Sequence, residues 1–217
     1  MTPYYLGASG ANFSERAGVI NISIEGFMNL AAFSFAVFMI FTGSPATALA
    51  LSLLSNLLFA LLFASLTVSL KINQIVTGVG FNLLIAGLTK FLMVLLFSSS
   101  SNTPRIEGLP DIPFLKSVPL IGEVLSDTLT LFSILLVFVS GYLLFRTRFG
   151  LRLRSAGENP WAAETLGIKV RAYKYYGVLI SSVLSALGGI WLVSEQKNYS
   201  DGMIAGRGYI ELAAMII

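Results

Sequence analysis

Residues 47–70 read TALALSLLSNLLFALLFASLTVSL, a run without one charged side chain. A helix needs about 20 predominantly apolar residues to cross the hydrocarbon core of a bilayer, and this run is long enough. Four further stretches of comparable length flank it, at 27–43, 75–97, 129–145 and 175–193. Shorter apolar pieces at 3–11 and 208–217 read as spans cut short or begun. The fold class expected is an all-α polytopic membrane protein, with about five complete transmembrane helices plus partial spans at both ends. Residues 1–217 are expected to form one transmembrane domain, incomplete at the C-terminus.

Composition gives the same class. Of 217 residues, 55% are hydrophobic and 12% charged, with a mean hydropathy of +0.81, whereas an ordinary globular domain is roughly a quarter charged. Lipid tolerates such apolar surface provided that every backbone amide is satisfied within a helix. The chain has no Cys and no His, which removes thiol nucleophiles, Ser-His-Asp triads, imidazole metal sites and disulfides together. The opening Met1-Thr2-Pro3-Tyr4-Tyr5 lacks the basic segment of a cleavable signal peptide, so the first apolar stretch is read as structure. No Gly-x-x-x-x-Gly-Lys-Ser/Thr loop occurs, so ATP hydrolysis by the usual machinery is not expected of this chain. No cofactor, metal or nucleic-acid partner is expected.

Charge sets the orientation, because cytoplasmic loops hold the excess of Lys and Arg. Residues 146–174 carry Arg146, Arg148, Arg152, Arg154, Lys169, Arg171 and Lys174 against Glu158 and Glu164. This loop is expected in the cytosol, Lys71 on the same side, and the Pro-containing loop 98–128 outside. Lys90 falls inside a span near its outer end; it either snorkels to the headgroups or is a functional intramembrane cation.

An internal likeness points to duplication. Residues 26–33, GFMNLAAF, align with 208–215, GYIELAAM, with identity at four of eight positions, and Ser14-Glu15 upstream matches Ser194-Glu195. Counting spans makes the first copy run outward and the second inward, an inverted repeat of the kind on which transporters are built.

Within the basic loop, Asn159 suits an N-cap, Pro160 the first helical position and Gly167 the left-handed position after the last turn. The helix between them has about two turns and is too short to stand alone in water. Its apolar Trp161, Ala162 and Leu166 dock either on the protein's own helix ends, beside anionic lipid, or on a cytoplasmic partner. Near the N-terminus, Asn21, Ser23 and Glu25 alternate between Gly18 and Gly26, a pattern of interrupted helix around a polar cavity. Asn21, Glu25, Asn29 and Asn82 are the candidates for a solute path; the alternative is helix packing through Gly with interhelical hydrogen bonds. An intramembrane carboxylate is costly without a partner, which tilts Glu25 toward function. Gly78, Gly80, Gly87, Gly188 and Gly189 read as sites of close helix approach.

The segment Gly157-Glu158-Asn159-Pro160-Trp161-Ala162-Ala163, with Leu166-Gly167-Ile168 and the preceding Arg-Phe-Gly-Leu-Arg-Leu-Arg run, resembles the cytoplasmic coupling region of permeases in the branched-chain amino acid, ribose and nucleoside group of ABC importers. Residues 14–26 are similar to the family's first conserved block and 202–214 to a later one. The likeness is nearest the nucleoside or simple-sugar branch, which usually reads Asn-Ile-Gly-Ile-Glu-Gly where this chain has Ser23 in third place. The resemblance implies that Gly157, Glu158, Asn159, Pro160, Trp161, Ala163, Leu166 and Gly167 couple to a nucleotide-binding ATPase subunit. It also implies a second permease subunit, an extracytoplasmic solute-binding protein and a multi-pass place in the bacterial plasma membrane. A secondary, ion-coupled transporter is the rival within transport. An integral-membrane enzyme would call for clustered acids, His or Cys, and the acids here are scattered.

Overall fold

The computed structural model describes residues 1–110 and 127–216. Loop residues 111–126, with Asp111, Lys116 and Glu123, lie outside the described part. The helices are α1 (Thr2–Arg16), α2 (Ile24–Thr42), α3 (Pro45–Ala64, prolonged by a π-helical turn Ser65–Ser69), α4 (Gln74–Phe97), α5 (Thr128–Arg146), α6 (Arg148–Glu158), α7 (Pro160–Thr165), α8 (Val170–Gln196) and α9 (Arg207–Ile216). Five of them are long and apolar enough to cross a membrane: α2, α3 with its π turn, α4, α5 and α8. Each matches one of the five apolar windows of the sequence, and the short end pieces fall in α1 and α9.

Local chemistry fixes several starts. Asn73 accepts from the amides of Ile75 and Val76 ahead of α4, and Asp127 from those of Leu129 and Thr130 ahead of α5. Such caps satisfy donors that have no partner in the first turn. Pro45 opens α3 where its missing N–H is not needed.

Packing divides the helices into two groups. α2 and α8 are buried along most of their length, whereas α3, α4 and α5 bury far less. The outer three leave Leu54, Leu58, Leu83, Phe91, Leu135 and Phe138 exposed, an apolar belt whose natural solvent is hydrocarbon. At the centre, α2 and α8 touch backbone to backbone: a Cβ on Gly189 would lie 2.1 Å from the Met28 carbonyl oxygen. Gly78 also sits at a close contact, on Ile22, and Gly188 at ordinary van der Waals distance from Pro3, but Gly80 and Gly87 have no neighbour within 4 Å among the described residues. The expectation of close helix approach at those last two positions is therefore corrected. A second cluster holds Phe63 edge-on to both Phe27 and Phe81, at 6.0 and 5.4 Å between ring centroids.

The two ends of the bundle differ in charge. Lys71, Arg171 and Lys174 stand together at one end with Pro160 and Trp161 of α7. At the other end the segment around 101–109 zips onto the tail of α8. Thr103 N donates to Tyr199 O at 2.9 Å, Ile106 N to Lys197 O at 2.8 Å and Leu109 N to Ser194 Oγ at 2.7 Å. Lys90 lies toward this second end and pairs with Asp201, Nζ to Oδ2 at 3.2 Å.

α9 starts beside the start of α2, since a Cβ on Gly208 would meet Glu25 N at 2.6 Å. It then descends along α1, with Glu211 over Gly7 and Met215 near Glu15 and Arg16. α1 is antiparallel to α8, because Gly177 meets Phe13 and Gly188 meets Pro3; α2 is parallel to α8, through Asn21 with Ser181 and Met28 with Gly189. α2 and α9 thus set out from one place in opposite directions.

Candidate functional site

The break between α1 and α2 is where polar groups gather. Gly18 takes φ +76, a conformation disfavoured for residues with a Cβ, and lets the chain turn. Asn21, 1% exposed, braces the start of α2: its Oδ1 accepts from Ser23 N at 3.2 Å and Ser23 Oγ at 2.7 Å, and its Nδ2 donates to Ser181 Oγ at 3.0 Å.

Glu25 reaches across to the second helix start. Its Oε1 accepts from Gly206 N at 2.8 Å and its Oε2 from Gly208 N at 2.7 Å. The carboxylate thereby caps α9 from outside that helix and lies at the positive end of its dipole. Gly208 is required here, because a side chain would collide with the Glu25 backbone.

Asn82 of α4 completes the junction. Its Oδ1 accepts from Gly26 N at 2.9 Å, and its Nδ2 donates to Ile22 O at 3.0 Å and Tyr209 Oη at 2.9 Å. One amide ties three elements, α2, α4 and α9. One turn along α2, Asn29 Nδ2 donates to Thr89 Oγ1 at 3.3 Å and its Oδ1 accepts from Tyr199 Oη at 2.7 Å. Burial pushes the Tyr199 phenol up to about 12, so it remains a donor at neutral pH.

The four path candidates therefore fall around one junction, and all four are engaged in bonds between or within helices. Tyr199, Tyr209 and Glu211 join them; Tyr209 and Glu211 belong to the copy at 208–215, while no period or motif announces Tyr199. Glu211 is 0% exposed, and neither of its oxygens has a hydrogen-bond partner among the described residues. It fits because Gly7 of α1 has no side chain: a Cβ there would lie 1.6 Å from Oε2. A buried carboxylate left so is costly.

The coupling candidates form a separate elbow at the basic end. Asn159 Oδ1 accepts from Ala162 N at 3.1 Å, Pro160 is in the first turn and Gly167 has φ +78, so the short helix has the caps its sequence suggests. Ala163 is buried in a small cluster with Ala156 and Val170. Trp161 and Leu166 are 81% and 79% exposed. Glu158 is exposed and Gly157 lies against the α1–α2 turn, where a Cβ would stand 2.3 Å from Arg16 O.

Membrane-length helices around a polar junction, with a short helix at the basic end that exposes Trp161, define a polytopic membrane protein. A family model described as branched-chain amino acid transport system / permease component matches residues 1–217, and the chain belongs to that family. It is 41% identical, over 99% of its length and 71% of the relative's, to a nucleoside ABC transporter permease of Lactococcus lactis subsp. cremoris. A guanosine ABC transporter permease of Bacillus subtilis is 38% identical over the same shares, and a putative glucose ABC transporter permease of Haloferax volcanii 32% over 99% of this chain and 67% of its own. No solved structure gives a significant match. The chain is an integral membrane transport component of an ABC importer, and ATP hydrolysis resides in a separate subunit.

Proposed function

We propose that the importer carries nucleosides, with simple sugars the nearest alternative, and that this chain lines the path jointly with a second permease subunit. The single observation that carries the solute class is the 41% and 38% identity to nucleoside and guanosine permeases, above the 32% to the glucose permease. An extracytoplasmic binding protein delivers the solute. The basic end faces the cytosol, in keeping with the bias of Lys and Arg.

α7 is the part that enters the ATPase subunit, offering Trp161 and Leu166 as anchors, while Gly157, Glu158, Asn159, Pro160, Ala163 and Gly167 shape the elbow. Its exposed apolar side chains support this, since the other described residues leave them uncovered. A push on α7 reaches the centre through contacts already in place: Gly157 bears on the α1–α2 turn, that turn holds α8 through Asn21, and the first turn of α2 beyond it holds α9 through Glu25. The segments starting at Gly26 and Gly208 then act as inverted repeats, rocking about their shared origin to open Asn21, Glu25, Asn29 and Asn82 to one side or the other.

The test is uptake by the full-length permease reconstituted with its ATPase and binding protein in liposomes. ATP-dependent, saturable uptake of labelled guanosine, little affected by excess glucose, is expected. Uptake of glucose with no competition by nucleosides overturns the solute assignment.

A further inference from the structure

Two open cavities meet at the basic end. One, of about 490 Å³, lies between the α1–α2 turn, the π-helical end of α3 and the start of α4. The other, of about 460 Å³, lies between that same end of α3, α7 and the first turn of α8. Lys71 and Lys174 line both, so two cationic residues are shared between them. Arg171 joins the second cavity and donates from Nη2 to Ser69 Oγ at 2.5 Å. The carboxylate on these walls is Glu164 alone among the described residues, against three cations.

None of the three cations is paired: among the described residues the ion pair found is Lys90 with Asp201, at the opposite end. Lys71 itself has φ 55, a left-handed conformation that costs a residue with a Cβ about 1–3 kcal/mol and persists only where the surroundings impose it. Around Lys71 in sequence, Leu70, Ile72, Ile75 and Val76 are all exposed. Ile72 and Ile75 wall the first cavity.

Unpaired cations at the ends of membrane spans, sharing a cavity wall with the exposed Ile72 and Ile75 and close in sequence to the exposed Leu70 and Val76, match a ligand with a phosphate at one end and hydrocarbon at the other. We infer that Lys71, Arg171 and Lys174 form a phosphate-binding site for the headgroup of an anionic phospholipid, whose acyl chain lies along Leu70, Ile72, Ile75 and Val76. A soluble phosphate shares the headgroup chemistry but would leave the aliphatic row in water. The site is independent of the solute carried.

The test is retention of lipid by the purified full-length complex in neutral detergent, read by native mass spectrometry with phosphatidylglycerol or phosphatidylcholine. The wild type is expected to hold phosphatidylglycerol selectively. Lys71→Gln with Lys174→Gln should weaken that retention about 30-fold, a factor of about five for each cation near an anionic surface. Lys71→Arg with Lys174→Arg should restore it, which separates lost charge from lost folding. Arg146→Gln with Arg148→Gln, also in the basic loop, should leave it unchanged. Unaltered retention in the glutamine variant overturns the site, and so does equal loss in the Arg146/Arg148 variant, which would make the attraction diffuse. If inorganic phosphate alone raises the melting temperature as much as phosphatidylglycerol does, with the same dependence on Lys71 and Lys174, the lipid source is overturned in favour of a soluble anion.

Discussion

Gly157 and Gly18 meet backbone to backbone, close enough that a Cβ on Gly18 would lie 3.0 Å from Gly157 Cα. Through this contact the elbow carrying α7 bears on the turn from which α2 departs. Replacing Gly157 by Ala inserts a methyl group 2.3 Å from Arg16 O, an overpacking strain of about 1–3 kcal/mol. The ATPase should still bind, and uptake per ATP hydrolysed should fall several-fold in reconstituted complex. Gly141→Ala, where nothing among the described residues lies within 4 Å, is the matched substitution that should change neither.

Glu25 supplies both acceptors for Gly206 N and Gly208 N. Glu25→Gln removes the charge at the start of α9 and is expected to cost about 1.5–3 kcal/mol, the usual worth of hydrogen bonds to a charged group. A drop in the melting temperature of the purified protein checks this. A variant that melts like the wild type but shows an altered half-saturation for solute would instead put this carboxylate on the solute.

Trp161 and Leu166 contribute little to the chain's own packing, being 81% and 79% exposed. Trp161→Ala with Leu166→Ala should therefore leave stability within about 0.5 kcal/mol while abolishing co-purification of the ATPase subunit and ATP-driven uptake. Retained association and uptake would show that coupling runs elsewhere.

Gly189→Ala drives a methyl group to 2.1 Å from the Met28 carbonyl oxygen and must part α2 from α8. Gly80→Ala and Gly87→Ala meet nothing within 4 Å among the described residues and should gain up to about 1 kcal/mol from helix propensity. Thermal unfolding of the three variants in detergent should order them with Gly189→Ala lowest.

The spans were legible because their signal is local. Length and apolarity in 47–70 suffice to make a membrane helix, and the capped elbow at Asn159, Pro160 and Gly167 is written in adjacent residues. The polar junction was legible only in its cast: Asn21, Glu25, Asn29 and Asn82 stand out as polar residues in apolar sequence. Their bonds to Ser181, Gly206, Thr89 and Tyr209 depend on helices far apart in the chain. Gly80 and Gly87 show the opposite failure, since glycine in a span says that close approach is allowed and not that a neighbour is there.

By itself, then, the sequence determined the solvent of this protein, its five crossing helices and the basic end that faces one compartment, since each follows from side-chain transfer energies summed over neighbouring residues. Tertiary structure alone decided that Glu25 caps a helix start 181 residues away, that Gly7 makes room for Glu211, and that Lys71 joins Arg171 and Lys174. Those relations rest on interhelical register, which is set by packing over the whole bundle.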